Sequence, residues 1–165
     1  IIAVIRDDGS RARTSFPKKG PFPHDAVHFV VESEGGFRNA FWGHVAAGDH
    51  PEDIARLAAE AGHPSAKRGR TPVAHVIELI QAERLVECFE AEIWGGPADL
   101  ESLQAVADAA MAQSKVPRIA LQKSLVDVIR VQLNNLRREW ERLPAGQSIS
   151  LVWRVGQTQK AKPNA

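Results

Sequence analysis

Between Leu121 and Leu143 the apolar residues recur at three- and four-residue intervals: Leu121, Leu125, Val128, Ile129, Leu133, Leu136, Trp140 and Leu143. That spacing draws one apolar stripe down one side of a helix, and a stripe of this kind has to be buried against something. Packing inward against its own domain is the default, and a second copy of the chain is the other surface that could cover it. Either way the body of the fold is helical.

Proline and glycine divide the remainder into pieces of helix or strand length. Pro23 opens a helix that Gly35-Gly36 closes. FRNAFWGHVAAG reads as a second helix ended by Gly48, and PEDIARLAAEAG as a third, with Pro51, Glu52 and Asp53 at its start and Gly62 at its end. Thr71-Pro72 starts a long helix that stops at Gly95-Gly96-Pro97, and DLESLQAVADAAMAQSK gives another, broken near Pro117. At the start, IIAVIR and RARTSF flank the turn residues DDGS as in a hairpin, and SISLVWRV near the end is β-branched and alternating. Pairing that closing strand with the hairpin predicts an α+β domain, a mostly helical body with a small antiparallel sheet made by the N-terminal hairpin and a C-terminal strand. One globular domain over 1–155 and a polar, disordered tail over 156–165 follow from length and composition.

Charge narrows the function classes. Twenty-one basic and twenty acidic side chains leave a formal charge of +1, too little for a general attraction to nucleic acid or membrane. A single cysteine, Cys88, forbids an intramolecular disulfide and favours a small apolar role. IIAVIRDDGS has no basic segment of a signal peptide, and no apolar run reaches membrane-spanning length, so a cytoplasmic protein with a processed or trimmed start is expected.

The chemistry-bearing stretch is PHDAVHFVVESE, residues 23–34. His24 and His28 stand four apart, so their imidazoles share a helix face and can share a divalent metal such as zinc. Asp25 occupies the place where the zinc-protease pattern has Glu, and is the candidate base on a metal-bound water if the protein is a metal hydrolase. Glu32 continues the same face, but lies about 12 Å along the axis from His24 at roughly 1.5 Å per residue, too far to be a third ligand. A ligand from elsewhere is needed, and His75, on the expected inward stripe of the long helix with Glu78 one turn on, is the first choice. His44, His50, His63 and Glu52 are less constrained. An ordinary amphipathic helix accounts for the same pattern, because Val27, Val30 and Val31 occupy the opposite arc. On the long helix, Glu83, Glu87 and Glu90 read as a solvated face.

Two further features carry weaker expectations. Lys67, Arg68 and Arg70 in the loop before Thr71-Pro72 could bind phosphate or nucleic acid at a helix start. Phe37, Phe41 and Trp42 could form either a core anchor or a partner surface. The segment GPFPHDAVHFVVESEGGFRNAFWGHVAAG resembles a group of small uncharacterised bacterial proteins sharing a PHDxxHxVVE segment followed by a Phe-Trp-Gly helix. The resemblance implies a bacterial, intracellular protein and implies no reaction. The leading expectation is a structural or interaction protein without catalysis, with a homodimer as one form it could take. The alternative is a divalent-metal protein, a hydrolase if Asp25 serves as base.

Overall fold

The computed structural model describes residues 1–16, 20–62 and 74–154, apart from the side chains of 61 and 62. The chain starts with a hairpin, β1 (Ile2–Ile5) and β2 (Arg11–Thr14), paired antiparallel with Ile2 opposite Thr14 and Ile5 opposite Arg11. Gly9, at φ 82°, takes the left-handed conformation that the turn needs. Six α-helices follow among the described residues: α1 (His24–Gly35), α2 (Phe41–Ala47), α3 (Pro51–Gly62), α4 (Ile77–Gly95), α5 (Leu100–Gln113) and α6 (Lys123–Arg142). A short 310 turn, Ala74–Val76, leads into α4. The architecture is α+β and mostly helical, and no described helix is long and apolar enough to cross a membrane.

Helix α1 is the centre of the packing, in contact with α2, α4 and α6. Val27, Val30 and Val31 are buried in a core shared with Leu79, Val86 and Phe89 of α4 and Ile129 and Leu133 of α6. The stripe on α6 therefore turns inward, with one shift from expectation: Val126 is buried and Val128 is 42% exposed. An ion pair fastens α6 to the end of α4. Arg130 donates from Nε and Nη2 to the two oxygens of Glu92 at 2.8 and 2.5 Å, and Nη2 also reaches the Ala98 carbonyl at 2.7 Å. Such a two-point pair holds geometry better than a single contact between flexible side chains. The chain between α5 and α6 is held by side chains instead of a ladder: Gln81 donates to the Pro117 carbonyl, and Gln104 bridges the Ile119 carbonyl and the Leu121 amide.

The expected C-terminal strand is absent. Residues 148–154 of SISLVWRV belong to no strand, and the sheet among the described residues consists of β1 and β2 alone. Two of its apolar side chains go to the helical body, since Ile149 packs against the core and the Trp153 ring meets Phe29 of α1 edge-on at 5.5 Å, while Leu151 and Val152 stay exposed. β propensity records a fit to a half-buried surface, which a helix face can provide as well as a neighbouring strand. The hairpin docks on α2 and α3. Arg6 donates to the Val45 and Asp49 carbonyls at 2.7 and 2.9 Å, and Thr14 donates to Glu52 at 3.0 Å. The expected tail, 156–165, lies outside the described residues.

Helix α2 begins later than the sequence suggests, because residues 37–40 form a bend whose amides go elsewhere. Glu78 accepts from the Arg38 and Asn39 backbone amides at 3.0 and 2.7 Å. The tight return brings Gly43 against this bend: a Cβ there would lie 2.0 Å from the Arg38 carbonyl oxygen. Since the obstacle is backbone, neither side can yield cheaply. Gly43→Ala should destabilise the protein by about 1–3 kcal/mol, the usual cost of overpacking, as read by urea denaturation; an unchanged midpoint would show that α2 does not sit this close.

Candidate metal centre

Pro23 occupies the position before α1 in extended conformation, Asp25 lies in the first turn, and Gly36 at φ 70° ends the helix in the left-handed conformation. These limits put His24, His28 and Glu32 on one side of α1. That side is not a wetted face. His28 is 8% exposed and Glu32 is 0% exposed, because α2 and α4 close over them.

The facing residues come from α4. His24 Nε2 and His28 Nε2 lie 3.2 Å apart. Glu83 Oε2 is 3.1 Å from His28 Nε2, and Glu83 Oε1 is 3.9 Å from His24 Nε2. The outer nitrogens are anchored as well: His24 Nδ1 meets Glu90 Oε1 at 2.7 Å, and His28 Nδ1 meets Glu32 Oε1 at 2.9 Å. An ionised carboxylate only accepts, so each Nδ1 carries a proton and each neutral imidazole turns a lone pair inward at Nε2. Two such lone pairs and the Glu83 carboxylate then converge on one small volume. Three acceptors facing one another at these distances require a positive charge between them, either a proton on one ring or a metal ion.

The dimensions suit a metal. Bonds of about 2.0–2.1 Å at tetrahedral angles place neighbouring ligand atoms about 3.3 Å apart. The three donor atoms lie within 4.8 Å of one another, and the two nitrogens sit close to that ideal. Imidazoles whose far nitrogens are held by carboxylates are a regular feature of metal-ligating histidines.

His75 does not join this group. It is exposed on the 310 turn before α4, where the helical register that would have carried it inward has not begun. Glu83 stands where a third ligand was sought. Glu83 and Glu90 are seven residues apart and face α1 in place of forming a solvated side. The sequence held a hint, since both carboxylates sit in a helix otherwise buried through Leu79, Ile80, Ala82, Leu85, Val86, Cys88 and Phe89. Asp25 is half-buried in the first turn of α1 and is not part of the converging group. Glu32 acts at one remove, through the His28 ring.

The other candidates lie apart from this centre. His44 Nδ1 pairs with Asp49 at 2.9 Å, and His50 Nδ1 accepts from the Glu52 amide at 3.3 Å. Phe41 and Trp42 stack edge-on at 5.1 Å, and Phe37 is buried in the core, so this aromatic group serves as an anchor. Cys88 is buried, and that burial pushes its thiol above the ordinary range. His63, Lys67, Arg68, Arg70, Thr71 and Pro72 lie outside the described residues.

With no ion bound, a proton must supply the charge, and His28 is where it is held. Burial opposes its charged form, but hydrogen bonds and charge from Glu32 and Glu83 outweigh this and lift its pKa from 6.5 to about 9. For Glu83 burial acts upward, and the His28 hydrogen bond and charge, helped by His24 and Arg84, bring it from 4.5 to about 2. The signs fix a window. The raised His28 value contributes stability fully below pH 6.5 and loses it as pH climbs through about 9; the lowered Glu83 value contributes above pH 4.5 and loses it as pH falls through about 2. Metal-free protein should therefore lose stability relative to a His28→Gln variant between pH 6.5 and 9. Urea denaturation of both proteins across that range checks this, and parallel curves would mean that His28 is not held protonated.

No protein-family model matches the chain, and no curated protein or solved structure matches it, so the chemistry of the cluster is read from its own atoms.

Proposed function

We propose that this chain is a divalent-metal protein whose mononuclear centre is formed by His24 and His28 of α1 and Glu83 of α4. The observation that carries the reading is the convergence of two imidazole Nε2 atoms and one carboxylate, with both outer nitrogens tied to Glu90 and Glu32. Two imidazoles and a carboxylate form a set that zinc accepts, and the same set with open positions serves iron(II).

Three protein ligands leave a four-coordinate ion one vacant position, the mark that separates reactive from purely structural sites. The His24 and Glu83 side chains are 20% and 35% exposed, so water can reach that position. When bound, the ion would supply a water of lowered pKa, the reagent of metal-assisted hydrolysis. The protein's own part is geometric: α1 presents two rings in a fixed tautomer, and α4 brings a charge to balance the ion. Because the ion would also tie α1 to α4, a structural role and a reactive one are compatible.

Metal content by mass spectrometry tests this, on untagged protein purified without chelator. Close to one equivalent is expected for the wild type. His24→Ala/His28→Ala and Glu83→Gln should each retain less than a tenth of that after desalting. Wild-type protein that stays metal-free after incubation with zinc, manganese or iron(II) would overturn the reading, as would a double variant that keeps its full equivalent.

A further inference from the structure

Glu32 is a carboxylate without solvent access, and its two oxygens serve two different elements. Oε1 meets His28 Nδ1 at 2.9 Å, and Oε2 accepts from the backbone amide of Trp42 at 2.7 Å. Trp42 is in the first turn of α2, where amides have no partner within the helix. The residue before that helix is Ala40, whose side chain can cap nothing. Glu32 therefore caps α2 from a neighbouring helix while it orients a ring of the metal centre. Two more contacts follow the same route: Trp42 Nε1 donates to the Asp25 carbonyl at 3.1 Å, and the Phe41 ring lies 6.3 Å from His28.

We infer that Glu32 is a positioning residue that couples occupancy of the metal centre to the seating of α2. This rests on the metal reading above. The physical basis is that Glu32 cannot move one oxygen without the other. If the His28 ring turns, Oε1 must follow or lose its donor, and Oε2 then leaves the Trp42 amide unpaired in a part-buried setting, where an orphaned donor carries a cost. A metal bond at Nε2 fixes the ring and with it the cap. Coupling of this kind is reciprocal, so seating α2 tightens metal binding by the factor by which metal tightens α2.

Hydrogen exchange read by mass spectrometry on the full chain, with and without zinc, tests the coupling, beside zinc titration by calorimetry. In the wild type, zinc should slow exchange across residues 41–47 about tenfold or more, together with α1 and α4. Glu32→Gln should bind zinc about 10–100-fold more weakly, the usual effect of losing a carboxylate behind a ligating histidine. At saturating zinc this variant should keep the protection of α4 and lose that of α2. Gly43→Ala, which disturbs α2 without touching the centre, should weaken zinc binding several-fold through the same linkage, and Glu32→Asp should recover part of what Glu32→Gln loses. Zinc that binds the wild type and slows α1 and α4 while leaving 41–47 unchanged would overturn the coupling alone. Failure of the wild type to bind zinc would overturn the coupling and the centre together. The wild-type comparison stands even if a variant fails to fold.

Discussion

A fully buried carboxylate has to be neutralised where it stands, because the cost of removing an ion from water amounts to several kcal/mol even after the protein relaxes. Glu32 meets that requirement with a ring on its own helix and an amide on the next. The ring, His28, holds its charge against burial because Glu32 itself and a second carboxylate, Glu83 of α4, both face it. His24 then fits between Glu83 and Glu90, so that imidazoles and carboxylates alternate across the seam between α1 and α4. Taking out one member leaves its neighbours with uncompensated charge, so the seam acts as a unit. The apolar side of α1 could be satisfied by many partners; its polar side can be satisfied only by a helix with carboxylates at these two positions.

The remainder of the fold keeps these two helices in register. Glu92 and Arg130 bind the last turn of α4 to α6, and α6 covers the valine side of α1. At the other end, Arg6 of the hairpin grips the carbonyls at the end of α2 while Glu32 holds its beginning. A seven-residue helix has little stability of its own, since nucleation is costly and few hydrogen bonds repay it. Its position is thus determined by what holds its two ends.

Much of this was legible in the sequence. Gly36, Gly48 and Gly96 ended helices where the pattern placed them, and DDGS turned the hairpin. Proline and glycine punctuation marked out the first five helices, and periodicity the inward stripe on α6. The closing strand did not, because β-branched alternation specifies a face to be buried and is silent on whether strand or helix will bury it. The histidine pair was visible as a spacing, yet its surroundings were not. Glu32 looked like a solvated residue one turn too far along, and Glu83 and Glu90 looked like the wet side of α4. Those assignments depend on which two helices touch, and that is a tertiary fact which no local window contains. His75 is the first choice only if the long helix already runs through it; the 310 turn leaves it exposed, and Glu83 faces the pair instead.

The distance along the chain between the facing ligands has a topological consequence. His28 and Glu83 are 55 residues apart, and the chain has one cysteine. A metal ion joining them would give a polypeptide that can form no internal disulfide a non-local cross-link of its own. A permanent bond closing a loop of that size would be worth about 4 kcal/mol in lost freedom of the unfolded chain. An exchangeable ion behaves differently: its contribution grows with the logarithm of free metal over the dissociation constant and vanishes when the metal is withdrawn. The tightness of the closed loop would then be a property shared between the protein and the metal supply around it.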